Sequence, residues 1–278
     1  MTLNEMIRQS YAEDIPGADI TTDNLGIKNV IGDAKLVAKE DMVLAGRAAF
    51  EACVKYIDPD MRLNWQFKDG DFVLNKQVIC WLRGDLLKLL KAERVALNFL
   101  GRLSGIATLT RCFVQEVHGT RCKILDTRKT TPLWRALEKE AVRAGGGQNH
   151  RMHLSAAILI KENHIRAAGG VSKAIAAIRK NTSEPVEIEC LSMDDVDQAV
   201  KSGVNRILLD NMTTEQTRAA KARIPASISV EASGNMRLER VREVAETGVD
   251  YISVGALTHS APSADVSLLF EWNGVNAP

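Results

Sequence analysis

At 278 residues, with 45% hydrophobic and 26% charged positions, the chain has the make-up of an ordinary globular protein that can bury one large α/β core or two smaller ones. Its 36 Lys and Arg against 35 Asp and Glu leave a formal charge of +1, which excludes a nonspecific nucleic-acid binder and makes any strong positive potential local. Five scattered cysteines without a Cys-x-x-Cys pair, no apolar leader-like core in MTLNEMIRQSYAEDIPG and no run near ~18 apolar residues predict reduced, structural thiols in a soluble, unexported, cytoplasmic chain.

Residues 1–90 read as a short helix followed by strand-like segments such as DAKLVAKEDMVLAG and KQVICWLRG, with turns expected at Asp69-Gly70 and Gly84-Asp85. The stretch KAERVALNFLGRLSGIATLTRCFVQEVHG spaces its apolar residues at i, i+3 and i+4 and predicts one amphipathic helix or two abutting ones, despite Gly101 and Gly105. From Lys123 onward six short β-branched or apolar runs alternate with helical segments: CKILDTRK, AAILIKENH, PVEIECLS, NRILLDNM, SISVEASGN and DYISVGALT. Strands alternating with short helices imply βα units and a parallel sheet, and six of them suit an incomplete, open α/β barrel. A doubly wound open sheet is the alternative, but the Gly-rich first turn that usually announces it is missing.

In parallel α/β folds ligands bind at the C-terminal ends of the strands. Those ends carry Arg128 and Lys129, then Lys161, Glu189, Asp210, Glu231 with Ser233-Gly234-Asn235, and Gly255. Arg128 and Arg151 suit bidentate grips on carboxylates, with Lys129 and Lys161 as point charges for further anionic oxygens. Glu189 and Asp210 offer hard oxygens for Mg²⁺, a structural salt bridge being the competing reading. EASGNM and SVGALTHS place small residues after a strand, where backbone N–H groups can cradle a phosphate. His150-x-x-His153 lacks zinc-ligand spacing, so His150 reads as a hydrogen-bond donor to an anion. His118 and His259 carry no signal, and His164 is expected to pack beneath Lys161.

The phrases EDIPGADITT, ERVALNFLGRLSGIAT, DTRKTTP, AVRAGGGQNHRM, LIKENHI, LLDN, EASGN and SVGALTHS, in this order from Glu13 to Ser260, closely resemble the quinolinate phosphoribosyltransferases, also called nicotinate-nucleotide pyrophosphorylases. The resemblance implies an N-terminal α/β sandwich domain over 1–104, rejoined by about 262–278, and an α/β barrel phosphoribosyltransferase domain over 105–261. It implies transfer of phosphoribosyl from phosphoribosyl pyrophosphate to quinolinate with loss of CO2, a step of NAD biosynthesis, in a homodimer with shared active sites. Carried over by position, Arg128, His150 and Arg151 would bind the quinolinate carboxylates, with Arg94 entering from the other subunit. Lys129 and Lys161 would be charge partners spanning both substrates. Glu189 and Asp210 would hold the ribose hydroxyls and the Mg²⁺ shell, and Ser233, Gly234, Asn235 and Gly255 the 5′-phosphate.

Gln148, His153 and Ala156 depart from the family pattern, which has His, Gly and Asp there, and after DTRKTTP the usual Gly is missing, so that Leu133-Trp134 follow directly. These departures touch loop geometry and substrate fit, not the Arg and Lys residues themselves. A paralogous phosphoribosyltransferase of the molybdenum-uptake-associated type acting on another acid, a Schiff-base aldolase using Lys161, and a non-enzymatic binder of phosphorylated metabolites are the competing readings.

Overall fold

The computed structural model describes residues 1–272. Two compact units emerge: one holds 1–109, 132–146 and the chain from Ala261 onward, the other 110–131 and 147–260. The boundaries read from sequence, after residues 104 and 261, lie close to two of these. Segment 132–146, expected within the barrel, instead groups with the first unit, where Trp134 stacks on Phe99 at 4.5 Å and buried Glu138 takes an ion pair from Arg102 at 3.0 Å. The part of the expected C-terminal return over 273–278 lies outside the described residues.

In chain order the first unit begins with α1 (Leu3–Asp14), α2 (Ile20–Asp23), β1 (Ile31–Ala38), β2 (Met42–Val43), α3 (Arg47–Ile57), β3 (Arg62–Trp65), β4 (Phe72–Val73) and β5 (Val78–Asp85). Thr2 caps α1 through a capping box with Glu5, satisfying two otherwise orphaned N–H groups. The helix then buries Met6, Ile7 and Tyr11, and the Tyr11 hydroxyl lies 3.1 Å from the carbonyls of both Cys53 and Ala92. Gly84 and Asp85 were expected at a turn but close β5. Within the strand Gly84 leaves room for the Met61 side chain, whose sulfur would stand 2.6 Å from an added Cβ, so the glycine marks close packing and not a bend.

The apolar periodicity after Leu86 resolves as one helix, α4 (Leu86–Glu116). Its two glycines serve close approach: a Cβ on Gly105 would stand 1.8 Å from the Pro262 carbonyl oxygen, and one on Gly101 2.8 Å from that of Ala264. The chain crossing there bonds to the helix, Ala264 N–H donating to the Gly101 carbonyl at 2.9 Å. It continues, after the second unit, into β12 (Val266–Glu271), which completes an antiparallel sheet of order β12-β1-β5-β3, with a separate β2-β4 ribbon.

The later elements are β6 (Lys123–Leu125), α5 (Arg135–Ala144, in the first unit), β7 (Ile158–Ile160), α6 (Glu162–Ala168), α7 (Val171–Asn181), β8 (Val186–Cys190), α8 (Met193–Lys201), β9 (Arg206–Asp210), α9 (Thr214–Arg223), β10 (Ser229–Ser233), α10 (Leu238–Ala245), β11 (Tyr251–Ser253) and α11 (Ala256–His259). All six runs expected as strands are strands, and they form one parallel sheet of order β6-β11-β10-β9-β8-β7. From β7 to β11 consecutive strands are neighbours, and β6 pairs with β11; that is the order of a βα barrel opened between β6 and β7. A single bridge from Leu125 to Gln148 extends the β6 edge. None of the described helices is long and apolar enough to cross a membrane.

Candidate active site

Strand periodicity decides which side chains share a face. In β8, Val186, Ile188 and Cys190 alternate with Glu187 and Glu189, yet all five residues are buried. Two carboxylates in a buried strand cost several kcal/mol each unless charge partners meet them, so this strand is poor packing and informative chemistry. Parallel register sets Glu187 beside Arg206 and Glu189 beside Leu208, then Asp210 beside Ser233 and Glu231 beside Tyr251.

The C-terminal ends of the strands open into a cavity of about 990 Å³ within the second unit. It gathers Arg128, Lys129, His150, Arg151 and Lys161 with Glu189, Asp210, Ser233, Gly234, Asn235 and Gly255, so all but one of the residues expected to form a site meet there. The exception is Arg94, which is exposed on α4 in the first unit.

Two arginines stand close together among the cavity's cations. Arg128 Nε is buried with no hydrogen-bond partner, an orphaned donor that a bound oxyanion would satisfy. Arg151 Nη1 donates to the Ala157 carbonyl at 3.0 Å. Burial, and then the Arg128 charge, lower Arg151 from its ordinary value, which places the two guanidinium groups in mutual repulsion. Facing them, Lys161 Nζ lies 2.6 Å from Glu189 Oε2. Asp210 is raised by burial and next by the Glu189 charge, with Lys161 opposing, as expected for two carboxylates converging on one point. The donor set suits a hard divalent cation, which would relieve that repulsion.

The third wall is a turn. Gly234 (φ +90°) and Asn235 (φ +50°) are consecutive left-handed residues, and Asn211 (φ +56°) stands against them. Asn211 donates through Nδ2 to Asp210 at 2.8 Å and accepts from Asn235 Nδ2 at 3.1 Å. Successive backbone N–H groups in such a turn form an anion-binding concavity.

His150 lines the cavity, as expected, and also reaches beneath it. Its Nδ1 accepts the Arg151 backbone N–H at 2.7 Å, and Nε2 points between Glu187 Oε2 at 3.5 Å and Glu231 Oε1 at 3.6 Å. The ring therefore works between the backbone and two buried carboxylates. Burial pulls the imidazole down, but the Glu187 hydrogen bond and the charges of Glu231 and Glu187 outweigh it and raise it overall. Burial, and next Glu187, push Glu231 well above the carboxylate range.

His259, which carried no signal in the sequence, lines the cavity four residues after Gly255 on α11, one helical turn beyond that glycine. The spacing was the only clue. His164 Nδ1 accepts the Lys161 backbone N–H at 2.9 Å, so it caps α6 beside Lys161. Of the departures from the family pattern, His153 and Ala156 are exposed and Gln148 continues the β6 edge, while Leu133 adopts φ +70°, the conformation a glycine would take without strain.

Comparison with known proteins agrees with this arrangement. Residues 19–104 match the quinolinate phosphoribosyl transferase N-terminal domain and 106–269 the C-terminal domain. A probable carboxylating nicotinate-nucleotide pyrophosphorylase of Synechocystis sp. is 40% identical over 96% of this chain and 92% of its own length. One of Bacillus subtilis is 39% identical over 96% and 93%. The solved nicotinate-nucleotide pyrophosphorylase of Francisella tularensis superposes with a TM-score of 0.92 at 37% identity, covering 97% of this chain and 96% of that one. With both of its domains matched, and with the cationic wall, the carboxylate pair and the glycine turn assembled in one cavity, the chain belongs to the quinolinate phosphoribosyl transferase family.

Proposed function

We propose that the chain joins quinolinate to phosphoribosyl pyrophosphate, the pyridine nitrogen displacing pyrophosphate from ribose C1 and the adjacent carboxylate leaving as CO2, to give nicotinate mononucleotide for NAD biosynthesis. The observation that carries this reading is the meeting, in one cavity, of Arg128 and Arg151 with Glu189 and Asp210. A dicarboxylate fits the first pair and a ribose with developing positive charge the second.

Arg128 and Arg151 grip the quinolinate carboxylates through guanidinium forks. Lys129 and Lys161 neutralise charge on the departing pyrophosphate, and Glu189 and Asp210 hold the ribose hydroxyls and stabilise the oxocarbenium-like sugar. Ser233, Gly234, Asn235 and Gly255 receive the 5′-phosphate. Aligning two anionic substrates that would otherwise repel supplies much of the acceleration. Glu189 and Asp210 are also the residues that would hold Mg²⁺, whose chemistry here is charge neutralisation of the pyrophosphate. Arg94 completes the acid-binding wall from a second copy in a homodimer. Lys161 is held in an ion pair with Glu189, and an ion-paired ammonium is a charge donor and not the free amine a Schiff-base aldolase requires.

The test is incubation of the purified protein with quinolinate, phosphoribosyl pyrophosphate and Mg²⁺, measuring nicotinate mononucleotide and CO2 together. Formation of both in equal amounts, dependent on all three components, is the expected result. Folded protein that binds phosphoribosyl pyrophosphate but gives neither product would reject quinolinate as the acid.

A further inference from the structure

His150 Nδ1 accepts from the Arg151 backbone, so in the neutral ring the proton sits on Nε2, which faces two buried carboxylates, Glu231 in the lining of the cavity and Glu187 outside it. Glu231 is in turn held from behind by Arg206, whose Nη1 is 3.3 Å from Glu231 Oε2 and whose guanidinium lies 4.2 Å over the Tyr251 ring. Glu187 Oε1 and Glu231 Oε1 have no hydrogen-bond partner within donor distance, a costly arrangement for side chains 7% and 0% exposed. His150, Glu187 and Glu231 bring their ligand atoms within 4.8 Å of one another, the grouping of a small metal site. Where no ion binds, the neutral ring carries a proton on Nε2 that faces both carboxylates.

We propose that Glu187 and Glu231 are positioning residues for acid binding: Glu187, at the limit of hydrogen-bond distance, and Glu231, just beyond it, flank the Nε2–H edge of His150 and orient the ring, and through its Nδ1 they fix the Arg151 backbone and hence the guanidinium. The inference rests on the reading of Arg151 as a quinolinate-carboxylate binder. Glu187 lies outside the cavity lining, and Glu231, in the lining but fully buried, acts through the ring. Their effect travels along one line of contacts, from Arg206 through Glu231 and His150 to Arg151, which runs from the start of β9 to the cavity. An unsupported imidazole would let the Arg151 main chain shift, and a misplacement of about 1 Å at a substrate-orienting group is enough to cost on the order of a hundredfold.

The experiment uses the full-length protein and Glu187→Leu, Glu187→Gln, Glu231→Leu and Glu231→Gln. Leu removes the acceptor at similar size, whereas Gln keeps an acceptor oxygen for Nε2–H. The Leu variants are expected to raise KM for quinolinate about tenfold or more and the Gln variants to recover most of that, with KM for phosphoribosyl pyrophosphate unchanged in all four. A loss of thermal stability with both KM values unmoved would make the pair merely structural and overturn the proposal. Since the Leu variants can fail to fold, ¹⁵N-histidine NMR of the wild-type protein supplies an independent arm, with a His150→Gln sample for assignment. An Nε2–H tautomer supports the proposal; an Nδ1–H ring, or Zn²⁺ or Mn²⁺ bound stoichiometrically and lost in Glu187→Gln, overturns it. Should the wild-type protein not use quinolinate at all, the acid assignment fails on its own, and the NMR arm still decides whether the carboxylates hold the ring.

Discussion

Replacing Gly234 by Ala tests the turn proposed to receive the 5′-phosphate. At φ +90° an alanine carries the left-handed penalty of about 1–2 kcal/mol. Its Cβ would also stand 2.2 Å from Asn211 Oδ1 and 2.8 Å from the Asn211 backbone nitrogen, distances that force Asn211 aside. Moving Asn211 breaks its hydrogen bonds to Asp210 and Asn235, each worth about 1 kcal/mol net. The sum is roughly 3–4 kcal/mol; to the extent that the turn relaxes away from the phosphate-binding conformation to relieve it, binding must restore that cost, and KM for phosphoribosyl pyrophosphate should rise by up to about two to three orders of magnitude. KM for quinolinate should change far less. Gly248→Ala is the matched control, because Gly248 has φ +89° and nothing within 4 Å of the place its new methyl group would take, so that it reports the backbone penalty alone. Steady-state kinetics of the two variants, with thermal melts of each, make the comparison. Equal effects of both on KM for phosphoribosyl pyrophosphate, or no effect of Gly234→Ala in a folded protein, would refute the assignment of this turn to the phosphate.

Other expectations follow from the same geometry. Arg151→Ala should raise KM for quinolinate steeply with the melting temperature little changed, because a rim residue supports little core; unchanged kinetics would remove it from the carboxylate wall. If Arg94 serves a second copy, mixing Arg94→Ala with Lys161→Ala should restore about a quarter of wild-type activity, since random heterodimers keep one intact site in two. No recovery despite demonstrated subunit exchange would count against a shared site. Cys53, Cys80, Cys122 and Cys190 have their thiols pushed up to about 12 by burial, so they stay protonated at pH 8 and only half-exposed Cys112 should react with a thiol reagent before unfolding. A second fast thiol in native protein would contradict that. Leu133→Gly should leave stability unchanged or raise it by up to about 1 kcal/mol in urea, the relief of left-handed strain at Leu133 being offset in part by glycine's unfolded-state entropy. A clear destabilisation would show that the side chain contributes packing there.

The order of the six βα units and the polar residue ending each strand were legible along the chain, because strand period and helix period are local properties of the sequence. So was the site built from them: Arg128, Lys129, Lys161, Glu189, Asp210 and Gly255 all sit at strand ends, and parallel strands deliver those ends to one rim. Other features needed the fold. Gly84, Gly101 and Gly105 read as turn or helix-weakening residues until the Met61 side chain and the Pro262 and Ala264 carbonyls are seen against them. Glu187 looks like an ordinary polar residue between apolar ones and Glu231 like one more strand-end carboxylate, and nothing local reveals that both are buried against His150. The sequence by itself determined the elements, their parallel arrangement and the chemistry of the rim, since these depend on neighbours two to four residues apart. Only the tertiary structure decided that segment 132–146 groups with the first unit, that α4 is continuous, and that His150 is gripped from below, because those depend on which distant backbone or buried charge comes within contact distance.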